Sequence, residues 1–147
     1  MKRDYYLGLA AAGLRMPIGT DLVLHEQPDP HAVLADGERL GQVVVETARR
    51  YRTPLAFAHM DLEVEKCALL GLAGVPAERI PKFHFDACPS AEFVDTVKRK
   101  IAGPLAPGLK AQTEAVSHVS RHSEALPVGM CIGPFSLVTK LLADPIT

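Results

Sequence analysis

Two short apolar runs, each leading straight into a helical pattern, constrain the fold of this chain more than any other feature. Leu55-Ala56-Phe57-Ala58-His59-Met60 follows Pro54 and ends at Asp61, and a helical spacing from Glu63 to Leu72 then carries Val64, Cys67, Ala68 and Leu70. Val128-Gly129-Met130-Cys131-Ile132 follows Pro127, and Gly133-Pro134 turns the chain into a second helical pattern with Phe135, Leu137, Val138, Leu141 and Leu142. Runs this brief are too short for ordinary helices and predict buried strands. Pro134 suits the first turn of its helix, where the N–H it lacks would have no intrahelical partner. Strand, turn and helix, met twice with helical sequence between, predict parallel strands joined by helical crossovers. That is an α/β fold, and spacing alone leaves open whether the sheet is doubly wound or closed into a barrel.

The rest of the chain reads as connections and amphipathic helices. An apolar stretch from Leu7 to Leu14 predicts a first helix, and Pro17, Gly19, Pro28 and Pro30 mark a loop or short extended piece over 15–30. From His31 to Tyr51, Leu34, Leu40, Val43, Val44, Thr47 and Ala48 recur at helical spacing, with charged residues on other faces and a break point at Gly37. Ile80 to Phe85 is a further short apolar run, which Pro81 demotes to an edge strand or loop. Ser90 is placed to cap a helix from Ala91 to Ile101, and after Gly103-Pro104 a longer helix runs from Leu109 to near Leu126.

Composition narrows the function classes. The chain is 48% hydrophobic and 22% charged, the balance of a globular protein. Its 16 basic residues against 17 acidic ones form no stripe interleaved with aromatics, so no nucleic-acid partner is expected. Three cysteines without a C-x-x-C spacing argue against a disulfide framework and for a reducing cytoplasm. No apolar run approaches the ~20 residues of a membrane span. Lys2 and Arg3 before the Leu7–Leu14 run imitate a signal peptide, but Arg15 and Met16 follow at once and a helix is the plainer reading.

The segments Tyr51-Arg-Thr-Pro-Leu-Ala-Phe-Ala-His-Met-Asp61-Leu-Glu-Val-Glu-Lys-Cys-Ala-Leu-Leu-Gly71 and Pro127-Val-Gly-Met-Cys-Ile-Gly133-Pro-Phe-Ser-Leu-Val-Thr-Lys resemble the amino-terminal half of the uroporphyrinogen decarboxylase family. That family includes the tetrapyrrole decarboxylases and the corrinoid-linked methyltransferases. The resemblance implies a (β/α)8 TIM barrel, which takes ~250 residues. The 147 residues here would then be a single incomplete domain, with 1–52 a helical and loop extension and 53–147 the first βα units. It also places Asp61 where the decarboxylases keep an aspartate that accepts hydrogen bonds from the pyrrole N–H groups of the substrate. An acceptor-only carboxylate in a partly dry pocket suits converging N–H donors.

The family's decarboxylases carry a Met-Arg-Gln-Ala-Gly-Arg motif for substrate carboxylates, whereas this chain reads Leu14-Arg15-Met-Pro-Ile-Gly-Thr20, with only Arg15 to stand in. Losing a bidentate carboxylate partner moves the expectation towards the cobamide-dependent methyltransferase branch. In that branch the resemblance implies zinc and a corrinoid for the complete protein, with the zinc ligands in the carboxyl-terminal half and none in this segment. The expected partners are a tetrapyrrole or methyl-corrinoid substrate, and a carboxyl-terminal barrel half or a second copy. The other functions in view are a true uroporphyrinogen decarboxylase and a non-catalytic product of a truncated or split gene.

The expected site comprises Asp61 as the catalytic residue, with Arg15, His59, Gly133 and Pro134 binding substrate. Each has a plainer alternative. Asp61 can cap the helix after it, and Gly133-Pro134 can be only a tight turn. His59 and Asp61 share strand parity and form an H-x-D pair, with Glu63 or Glu65 nearby, but two ligands make no metal site. His84 with Cys88 reads as structural or loop. Cys67 and Cys131 read as small buried hydrophobes. His118 and His122, four apart, read as a solvated helix face.

Overall fold

The computed structural model describes residues 3–13 and 19–144. In chain order these form α1 (Arg3–Ala11), α2 (Thr20–His25), α3 (Pro30–Leu34), α4 (Gly37–Arg50), β1 (Leu55–Phe57), α5 (Val64–Leu72), a 3-10 helix (Ala77–Lys82), α6 (Ala91–Lys100), α7 (Pro107–His122), β2 (Leu126–Val128) and α8 (Pro134–Leu141).

The core is built on α4 and α7. Asp36 caps α4, its Oδ1 accepting from the backbone N–H groups of Glu38 and Arg39 at 3.0 Å. Leu40, Val43, Val44, Thr47 and Ala48 then line one face of α4 and are buried. On α7, Ala111, Ala115, His118 and Val119 do the same at spacings of three and four. Two small residues let the helices approach closely. A Cβ on Gly41 would sit 2.5 Å from His118 Cβ, and one on Gly37 would sit 2.9 Å from the Ala111 carbonyl oxygen. One apolar cluster joins Val23 and Leu24 of α2 and Val33 of α3 to Leu40, Val43 and Ala115. Another joins Val44, Ala48 and Val119 to Ala56, seating the helix pair against β1.

β1 and β2 pair in parallel, with Leu55, Ala56 and Phe57 opposite Leu126, Pro127 and Val128. At the ends of the ladder Leu126 N–H donates to Pro54 O at 2.8 Å and Ala58 N–H donates to Val128 O at 3.0 Å. Two parallel neighbouring strands were expected; β1 falls within its apolar run, whereas β2 lies over Leu126–Val128 and shares only Val128 with the run from Val128 to Ile132.

A partial barrel does not form among the described residues. The described residues are mostly helical, with two three-residue strands as the only sheet, and this corrects the expectation of an amino-terminal portion of a (β/α)8 barrel. Pairing in the first run stops before His59, and in the second it stops at Gly129, so that 129–132 is unpaired and β2 instead takes in Leu126 and Pro127. The run at 80–85 contributes no strand. Pro81 has no N–H to donate, and the segment forms the 3-10 helix and then one isolated bridge, Phe85 to Leu142. Phe83, Phe85 and Phe93 stack edge to face there, with successive centroids 4.9 Å apart.

No helix among the described residues is long and apolar enough to cross a membrane.

Candidate functional site

The parallel pairing brings two carboxyl ends side by side, and of the expected site residues His59 and Asp61 lie there. His59, Met60 and Asp61 leave β1, while Met130, Cys131 and Ile132 leave β2, and both segments line one cavity of about 30 Å3, closed from the side by Gln112 of α7. Parallel strands present this end to the turn that enters the following helix, which is why ligands of α/β proteins bind there.

Asp61 is half-buried, and its Oδ1 accepts from Glu63 N–H at 2.8 Å. The capping alternative is therefore met in part, although α5 itself begins at Val64 with Glu63 in the cap position. Asp61 Oδ2 makes no hydrogen bond with the described residues, so the carboxylate keeps one acceptor free for a ligand.

His59 faces a partner that the sequence reading missed. Its Nδ1 is buried, without a hydrogen bond among the described residues, and lies 3.8 Å from Asp21 Oδ1 on α2. Asp21 also holds His25, whose Nδ1 is 2.8 Å from the Asp21 carbonyl oxygen. Next to it Thr20, 1% exposed, donates its hydroxyl to Phe57 O at 2.7 Å and anchors α2 to the end of β1. No pattern linked α2 to this corner, since 37 residues separate Thr20 from Phe57.

A second layer ties the two strand–turn–helix units together. Glu65 Oε1 accepts from Ile132 N–H at 2.9 Å, and Lys140 of α8 donates to Glu63 Oε1 at 2.7 Å. Lys66, only 2% exposed, donates to Pro81 O at 3.3 Å and stands 3.9 Å from Glu63 Oε2. A buried ammonium is sustained by such pairing. The Gly133 and Pro134 turn is exposed, and nothing lies within 4 Å of a Cβ built on Gly133, so the backbone there is open to an approaching ligand. Arg15 lies outside the described residues.

The remaining candidates fall elsewhere. Cys67 and Cys131 are exposed, as is Cys88, which corrects the expectation of two buried thiols. His118 is buried against Gly41 in the helix interface, which corrects the solvated-face expectation for it, whereas His122, stacked on it with centroids 4.2 Å apart, is exposed. No group of three or more His, Cys, Asp or Glu among the described residues is placed to hold a metal ion. The cavity of about 30 Å3 is too small to enclose a corrinoid.

Compared with family models, with curated proteins and with solved structures, the chain matches none.

Proposed function

We propose that this chain is the amino-terminal, substrate-facing part of a uroporphyrinogen decarboxylase-like protein related to the cobamide-dependent methyltransferases, and that Asp61 accepts N–H donors of a tetrapyrrole or methyl-corrinoid substrate. One observation carries this reading. Asp61 and the segment leading to Gly133 wall a single cavity at the carboxyl ends of two parallel strands. The free oxygen of Asp61 and the open backbone at Gly133 are the groups that the pyrrole N–H donors of a porphyrinogen, or the side-chain amide N–H donors of a corrinoid, would meet first. Charge-assisted bonds to a carboxylate are roughly twice as strong as neutral ones, so a half-buried aspartate gives both orientation and affinity. His59, steadied beside Asp21, borders the same mouth.

A cavity of about 30 Å3 has room for about one water molecule. The substrate therefore lies across its mouth, and a second polypeptide segment supplies the other walls and the reactive groups. The chain alone binds and does not turn over.

Anaerobic binding titrations with methylcobalamin and with a carboxylated porphyrinogen test this. One of the two is expected to bind, and Asp61→Asn, which keeps the Oδ1 acceptor for Glu63 N–H, is expected to raise Kd about tenfold, the ~1.4 kcal/mol of one charge-assisted bond. Failure of both ligands to bind, or an unchanged Kd in D61N, refutes the reading. Release of carbon dioxide from the porphyrinogen by the chain alone would make it a decarboxylase instead.

A further inference from the structure

Asp21 belongs to no sequence motif, yet its carboxylate faces the buried nitrogen of His59. Its Oδ1 lies 3.8 Å from His59 Nδ1, and its Oδ2 lies 3.5 Å from His25 Nδ1, a nitrogen already 2.8 Å from the Asp21 carbonyl oxygen. These two histidines are its ion-pair partners among the described residues, so no lysine or arginine draws the carboxylate away. α2 is held in this position by Val23 and Leu24, which are buried in the core, and by the bond from Thr20 to Phe57 O. The His59 ring borders the same cavity as Asp61, and its Nε2, unlike Nδ1, is neither sealed from solvent nor hydrogen-bonded within the described residues.

A neutral imidazole carries its proton on one nitrogen, and the surroundings of the ring decide which. With the proton on Nε2, Nδ1 would turn a lone pair towards the Asp21 carboxylate where water does not reach to relieve the repulsion. With the proton on Nδ1, an N–H dipole faces the negative oxygen instead, and a closure of about 1 Å makes this contact a hydrogen bond. We propose that Asp21 is a positioning residue that fixes His59 in its Nδ1–H form, so that Nε2 joins the free oxygen of Asp61 as a second acceptor for the N–H donors of the ligand. A partner that sets the tautomer of a histidine from behind also sets the direction of its open nitrogen. The binding role rests on the tetrapyrrole reading above, whereas the tautomer does not.

Nitrogen-15 NMR of the full chain, labelled in its 6 histidines, tests the two parts separately. At about pH 8.5, above the usual histidine range, long-range proton–nitrogen correlations report which ring nitrogen carries the proton, and the His59 signals are those lost in His59→Gln. His59 is expected in the Nδ1–H form in the unmodified chain and in Asp21→Asn, whose side-chain oxygen still accepts, and to turn largely to the Nε2–H form in Asp21→Ala. The Asp21 side chain is 58% exposed, so the core of D21A stays intact and its urea midpoint is expected to match that of the unmodified chain. An Nε2–H ring in the unmodified chain, or an unchanged tautomer in D21A, overturns the proposal. In titrations with methylcobalamin and with a carboxylated porphyrinogen, the ligand that binds is expected to shift the His59 Nε2 resonance. It should bind about fivefold more weakly to D21A, with D21N near the unmodified value. Binding without a shift at Nε2, or with an equal Kd in D21A, also overturns the proposal. If neither ligand binds, the tetrapyrrole reading fails, and the ring spectra alone still decide whether Asp21 sets the His59 tautomer.

Discussion

His118 is the residue whose surroundings depart most from its sequence context. Burial holds its imidazole below the usual histidine range, and the neighbouring His122 and Arg121 push the same way, while Glu38 opposes them. The folded chain therefore binds this proton less readily than the unfolded chain does. The sign follows from linkage: the contribution is complete above the unfolded value near pH 6.5 and is lost as pH falls through the lower folded value. Urea midpoints are expected to hold between pH 8 and 7 and to decline towards pH 5.5. Replacing His118 by Asn should flatten that decline, and an equally steep fall in H118N would show that other groups cause it. At the site, Asp61 shows a related lesson, for one carboxylate serves both a local turn through Oδ1 and an open surface through its other oxygen.

Among the elements, the contact of α4 with α7 decides the architecture. Gly41 lies in the middle of a helix, where alanine is intrinsically better by about 1 kcal/mol. Here the added Cβ would stand 2.5 Å from His118 Cβ and 2.7 Å from its Cγ, atoms close to the α7 backbone that cannot swing away. Overpacking of this kind costs about 1–3 kcal/mol, which outweighs the propensity gain. Gly41→Ala is accordingly expected to lower stability in chemical denaturation, and a gain would mean that the helices are not this close. The strands have no comparable support. Pro127 gives β2 no N–H at its central position, and each strand has three residues, so the sheet is an accessory to the helix pair.

For the whole molecule, protection from unfolding should follow burial. α4 and α7 each contribute more buried side chains than any other element, whereas α1, α6 and α8 contribute none. Cooperative units of a protein open in the order of their packing. Hydrogen exchange is expected to find the amides of α4 and α7 slowest, together with Ala58 and Leu126, whose N–H groups close the ladder. α1, α6 and α8 should exchange first. Equal protection of α8 and α4 would contradict this layering and would place the core elsewhere.

Local chemistry by itself determined much of this protein. The amphipathic face of α4, the Ser90 cap of α6, the Pro134 start of α8 and the strand after Pro54 were legible, because each depends on residues a few positions apart, whereas β2 lies earlier than its apolar run and holds Pro127 at its centre. Tertiary structure decided the rest. The approach of Asp21 to His59, the bond from Ile132 to Glu65 and the burial of Lys66 and His118 all depend on residues far apart in sequence. Periodicity identifies which face of an element is apolar. It does not say which other face will meet it, since that choice is made by close packing and by where buried polar atoms find partners.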